Sequence, residues 1–158
     1  MSRTSREGFG EFDVVLALGI LYHLDDPLAW LRQVAEATRG VLLVDSHYAP
    51  ADEAGLACLD PRLSALGPLE QLELGGAVYE GRWFRERPDG ADPEPDPWAS
   101  YSNSSSFWLT KESLLLGLLR SGFDVTLEQH DLTAERYQFH ATTFSRAMFA
   151  AIKTAAFQ

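Results

Sequence analysis

One cysteine, two lysines and no long apolar run bound what this 158-residue sequence can be. Cys58 alone closes no disulfide within the chain and builds no multi-cysteine zinc site, so a reducing, cytoplasmic setting is expected. The longest apolar stretch, Val14 to Tyr22, is about nine residues, against the roughly 20 of a membrane-spanning helix. MSRTSREGFGEF, at the start, holds no apolar segment of signal-peptide length either. Lys111 and Lys153 are the only lysines, the arginines are scattered, and net charge is -10. Nucleic-acid binding draws on clustered basic residues to neutralise phosphates, so neither nucleic acid nor a membrane is an expected partner. His47, His130 and His140 are far apart and have no carboxylate at helical spacing, so no metal is expected. Ser104, Ser105 and Ser106 lack the Gly-x-Ser-x-Gly elbow of a nucleophilic hydrolase.

What remains is the composition of a soluble globular domain, 46% hydrophobic and 23% charged. Its fold class reads as α/β. Phe12 to Leu18 is an almost unbroken Val- and Leu-rich run, the pattern of a parallel strand covered on both faces. Asp25-Asp26-Pro27 supplies an N-cap and a first-turn proline. Leu28, Leu31, Val34 and Ala35 then mark one face of a helix that Gly40 closes. Val41 to Asp45 is a second buried strand, so residues 12–47 predict a right-handed parallel crossover.

From 48 to 109 the periodicity weakens, and this stretch reads as an insertion or lid. Leu72 to Arg85 suggests a short hairpin turning at Glu80-Gly81. Arg87 to Pro97 is acidic and rich in Pro and Gly, a solvated loop. Residues 110–158 return to regular structure. A helix opens at Thr110 with Leu114, Leu115, Leu118 and Leu119 on one face, followed by a strand from Phe123 to Leu127 and a last one from Arg146 to Lys153. The absence of a crossover helix between 128 and 145 predicts that the final strand is antiparallel.

Three segments resemble class I S-adenosylmethionine (SAM) dependent methyltransferases: FDVVLALGILYHLDDPLAWL, WASYSNSSSFWLTKESLLLGLLRSGF and RAMFAAIK. The first is similar to the fourth strand and following loop of that family, especially in tRNA wobble-uridine carboxymethyltransferases. The resemblance implies a Rossmann-like methyltransferase sheet lacking its N-terminal strands, with a long insertion after the second visible strand. It implies methyl transfer to a small organic acceptor, with SAM or a carboxylated derivative as cofactor. The departure is that the family's Gly-rich turn and ribose-binding acid have no counterpart here. Gly8-Phe9-Gly10 and Gly75-Gly76 lack the strand-to-helix context of a nucleotide loop. Phe12 to Leu18 would then present an apolar edge. A homo-oligomer or a separate N-terminal half is the partner expected, and the alternative to methyl transfer is a non-catalytic remnant or an interaction module that complements such a half.

By the same resemblance Leu18, Gly19 and Tyr22 would contact the cofactor, and Arg146 the carboxylate of a carboxylated one. The alternative is core packing for Leu18 and Tyr22 and a surface strand end for Arg146. His23 is the candidate general base, being of a residue type that changes charge near neutral pH; the alternative is a histidine that holds the turn. Trp98, Tyr101, Asn103, Phe107 and Trp108 read either as an aromatic lid over the acceptor or as a mini-core within the insertion.

Overall fold

The computed structural model describes residues 10–59, 65–87, 100, 102–129 and 145–157. Strand β1 (Phe12–Leu18), helix α1 (Pro27–Ala37) and strand β2 (Thr38–His47) form the parallel β-α-β unit. Asp26 is the N-cap of α1, its Oδ1 accepting from the Ala29 N–H at 2.9 Å, with Pro27 in the first turn. Such a cap is worth about 1 kcal/mol. The other end differs from expectation. The helix stops at Ala37, and Thr38 donates its hydroxyl back to the Val34 carbonyl at 2.7 Å. Lys153 donates to the Ala35 and Thr38 carbonyls, the first of which also accepts from the Thr38 N–H. Gly40 lies inside β2, where a Cβ would come within 2.9 Å of the Asp13 carbonyl.

Residues 48–87 contribute a short helix, α2 (Glu53–Ala57), and strands β3 (Leu66–Leu74) and β4 (Ala77–Arg85). The hairpin turns at Gly75-Gly76, not at Glu80-Gly81. Both turn glycines have positive φ, 59° and 75°, which a tight two-residue hairpin favours. Gly81 sits mid-strand for another reason: a Cβ there would lie 2.5 Å from the Phe107 ring. β5 (Ser105–Leu109) pairs antiparallel with β4, completing a sheet of order β3-β4-β5.

Helix α3 (Lys111–Arg120) follows, with Thr110 as N-cap. Leu114 and Leu118 are buried, whereas Leu119 is exposed, because the helix presents a narrower face to the core than its leucine run suggests. β6 (Val125–Gln129) and β7 (Arg146–Ile152) complete the first sheet in the order β1-β2-β7-β6. β7 is antiparallel to both its neighbours.

One core joins these parts. Ala17, Leu42, Val44 and Phe149 from the first sheet meet Leu28 and Leu31 of α1, Leu114 and Leu118 of α3, and Phe107 of β5. Full burial of such side chains contributes about 1.5–3 kcal/mol each. Both long helices lie on this face of the sheet. β1 is therefore not covered on both sides: Ala17 is 1% exposed, but Leu16 is 58% exposed. Among the described residues no helix is long and apolar enough to cross a membrane.

Candidate functional site

β1 ends at Leu18, and Gly19 takes φ +72°, the left-handed conformation that glycine adopts without strain. Its N–H donates to the Asp45 carbonyl at 3.0 Å, tying the turn to the end of β2. A single 3-10 turn, Leu21–His23, follows. Leu21 is buried as its anchor, while Tyr22 and His23 are half-buried at the carboxyl edge of the sheet. The second sheet closes over this edge, with the Phe107 N–H donating to the Leu24 carbonyl at 2.8 Å.

His23 is held by a residue that the sequence does not flag. Its Nδ1 lies 3.0 Å from Glu86 Oε1, just past the end of β4. The Glu86 side chain is 2% exposed and that of His23 26%. The same carboxylate accepts from the Ser106 hydroxyl at 2.7 Å and, through its other oxygen, from the Ser100 N–H at 3.2 Å. A carboxylate bonded to one ring nitrogen selects the tautomer protonated there and leaves the other nitrogen as acceptor. The contact with Glu86 thus ties the turn that carries His23 to the end of β4.

Beside this pair the aromatic rings form an array. Tyr22 stands edge-on to His47 at 4.7 Å and to Trp108 at 5.9 Å, while Trp108 stacks with His47 at 4.9 Å and with Phe84 at 4.6 Å. The Trp108 indole donates to the Tyr22 carbonyl at 2.7 Å. Arg146 lies 5.8 Å from the Tyr22 ring centroid and grips Asp45 bidentately, Nε to Oδ1 at 2.9 Å and Nη2 to Oδ2 at 2.5 Å. This bond and the Asp45 charge hold the guanidinium's proton more firmly still, against the opposing effect of burial.

Burial pushes the Tyr22 phenol above its ordinary 10.0; Asp45 and Glu86 add to the effect and Arg146 opposes it. The folded state therefore keeps this proton at a pH where the unfolded chain has lost it. Stability should fall as pH rises through 10, because the unfolded state then binds fewer protons. Tyr22→Phe should flatten that alkaline decline in thermal melts taken between about pH 9 and 11, a window set by the ordinary tyrosine value. A slope unchanged by the substitution would assign the decline to other groups.

The sequence-predicted residues separate into groups. Leu18, Gly19, Tyr22, His23 and Arg146 converge at one sheet edge. Phe107 and Trp108 are buried, the first in the main core and the second in a smaller cluster with Ala49, Leu59 and Leu66. The Asn103 amide is engaged within its loop: Oδ1 accepts from Ser100 at 2.5 Å, and Nδ2 donates to the Ser105 carbonyl at 2.6 Å. Trp98 and Tyr101 lie outside the described residues. No group of three or more metal-ligating side chains occurs among the described residues. A cavity of about 510 Å³ lies at the opposite end of β2, lined by Thr38, Arg39 and Lys153, and one of about 160 Å³ lies between α1, α3 and the β3–β4 hairpin.

A parallel β-α-β unit closed by an antiparallel strand, with polar and aromatic groups gathered at its carboxyl edge, defines an α/β architecture. Two solved structures share it, both of the N-terminal domain of EvdMO1. One, in the presence of SAH and D-fucose, is 23% identical with a TM-score of 0.62, over 92% of this chain and 49% of that chain. The other, with SAH bound, is 21% identical with a TM-score of 0.60, over 94% of this chain and 51% of that one. The chain has the fold of that domain and spans about half the length of the chains it matches. No protein-family model matches the sequence, and no curated protein does.

Proposed function

We propose that this chain is part of a SAM-dependent methyltransferase acting on a small organic acceptor. The observation that carries the proposal is the His23–Glu86 pair, set beside Leu18, Gly19 and Tyr22 in a fold shared with a domain that has been crystallised with SAH. The cofactor fits this edge in part. Leu18 is half-exposed at the strand end, and Gly19 leaves open the space a side chain would fill next to the Tyr22 hydroxyl, 3.5 Å from a Cβ placed there. These residues offer one wall for SAM. A Gly-rich phosphate- or amino-acid-cradling turn and a ribose-binding acid are not among the described residues.

When bound, SAM supplies a methyl carbon on a positively charged sulfur, open to in-line displacement. Tyr22 and Leu18 would orient it. His23 would accept the proton of an acceptor hydroxyl or amine at Nε2 as that oxygen or nitrogen takes the methyl group and the methyl–sulfur bond breaks to leave SAH, and Glu86 would stabilise the resulting imidazolium. The Tyr22 ring, 4.3 Å from the His23 ring, shields one side of the imidazole from water. Asp45 already occupies one edge of the Arg146 guanidinium and would repel a further carboxylate. SAM itself therefore suits the site better than a carboxylated derivative. Two lysines and a net charge of -10 favour a small acceptor over tRNA.

Titrating the ¹⁵N-labelled chain with SAH tests the proposal. One wall of a site should bind in the millimolar range, with resonances of Leu18, Gly19 and Tyr22 shifting while those of Thr38 to Gly40 stay still. A folded chain whose shifts are absent, or confined to the far end of β2, would overturn it.

A further inference from the structure

Helix α3 approaches α1 at Gly117, where a Cβ would come within 3.1 Å of Leu28 and Leu31. Beside this contact the β3–β4 turn closes a cavity of about 160 Å³. Buried Leu28 and half-buried Leu74 give it apolar walls, and Arg32 and Arg120 stand exposed at its margin. Among the described residues no acidic side chain lines it, although Asp and Glu outnumber Lys and Arg by 23 to 13 in the sequence. The cavity at the far end of β2 is different. Glu11 and Glu36 line it together with Arg39 and Lys153, and both cations are engaged, Arg39 by Asp13 and Lys153 by two carbonyls.

Three groups at the smaller cavity keep hydrogen-bonding capacity. Arg32 has no ion pair or hydrogen bond among the described residues. Arg120 donates from Nη2 to the Gly75 carbonyl, which leaves its Nε and Nη1 donors. Tyr79 is 4% exposed, and its hydroxyl has no partner among the described residues. A buried tyrosine hydroxyl ordinarily finds one. Every fully enclosed side-chain oxygen and nitrogen among the described residues is paired, so the Tyr79 oxygen must meet open space. The open space that Tyr79 lines is this cavity.

We propose that the cavity binds a small organic carboxylate, its charge held by Arg32, Arg120 and the Tyr79 hydroxyl and its short apolar body against Leu28 and Leu74. Guanidinium groups match the planar fork of a carboxylate, and an acidic surface elsewhere directs an anion to the one lining without acids. Size limits the ligand. A volume of about 160 Å³ equals that of about five waters and is well below the roughly 300 Å³ at which drug-sized pockets begin, so a nucleotide is too large. Inorganic phosphate would leave both leucines facing no apolar atoms. The bound carboxylate would join α1, α3 and the β3–β4 hairpin.

Titration of the ¹⁵N-labelled chain with 4-methylpentanoate tests the proposal, with neutral 4-methylpentanamide and inorganic phosphate as comparisons at the same pH. The carboxylate should shift the amide resonances of Gly75, Gly117 and Ser121 with a Kd in the millimolar range, and both comparison compounds should bind at least about tenfold more weakly. Arg32→Gln, altered at an exposed position, and Tyr79→Phe, which removes one oxygen, should keep the circular dichroism and each weaken binding about tenfold. Three results would overturn it: shifts confined to other residues, an amide or phosphate that binds as well as the carboxylate, or two variants that bind like the original. No residue lining this cavity belongs to the edge that holds His23 and Glu86, and the test uses no SAM, so its outcome is independent of the proposed methyl transfer.

Discussion

Arg82→Ala is expected to lower the stability of the folded chain by about 3–5 kcal/mol, from the loss of two charge-assisted hydrogen bonds, one to a buried and one to a half-buried carbonyl. Arg82 is 1% exposed in the middle of β4. Its Nε donates to the Pro50 carbonyl at 2.9 Å, Nη1 to the Gly67 carbonyl at 3.1 Å and Nη2 to Glu53 Oε1 at 3.0 Å. One side chain thus fastens the segment after β2, the start of β3 and helix α2 to the middle of the second sheet. The ion pair contributes least, because the Glu53 side chain is 81% exposed and solvent screens it. Glu53→Gln should therefore cost no more than about 1 kcal/mol. Urea unfolding of the two variants decides the matter through the midpoint at constant slope. Equal, small losses in both would mean that water replaces the guanidinium and that the second sheet does not depend on it.

In the assembly that binds SAM, His23→Ala should reduce kcat for methyl transfer by about 10²- to 10⁴-fold, the range of a positioned general base. Glu86→Gln should reduce it by a smaller factor with KM unchanged, since the amide keeps the shape but not the charge that stabilises the imidazolium. A spectroscopic readout separates this role from a merely structural one. ¹⁵N spectra of the imidazole should show the tautomer protonated at Nδ1 in the unaltered chain and a mixture in Glu86→Gln. A kcat within about threefold of the original after His23→Ala would show instead that alignment of the two reactants carries the rate.

Much of this was legible in local sequence. Asp26-Pro27 announced the start of α1 and Thr110 the start of α3, because capping is a contact between near neighbours in the chain. The parallel pairing of β1 with β2, and the antiparallel β7, followed from connection lengths. The hairpin was legible but its turn was misplaced: Gly75-Gly76 carries the positive φ angles, while Gly81 is there to admit the Phe107 ring. β5 gave no alternating signal because Ser106 to Leu109 is buried on both faces.

The sequence by itself determined the class of fold, the order of its first and last elements and the edge at which Leu18, Gly19, Tyr22 and His23 gather. These depend on spacing, caps and hydrophobic runs, which act over a few residues. Only the tertiary structure decided that Glu86, 63 residues beyond His23, is its partner, and that Asp45 and Arg146, 101 residues apart, form one ion pair. It also decided that the Val- and Leu-rich run of β1 faces water on one side. A run of apolar residues specifies a need for cover on both faces; whether the cover is present depends on what packs there, and α1 and α3 both lie on the same side.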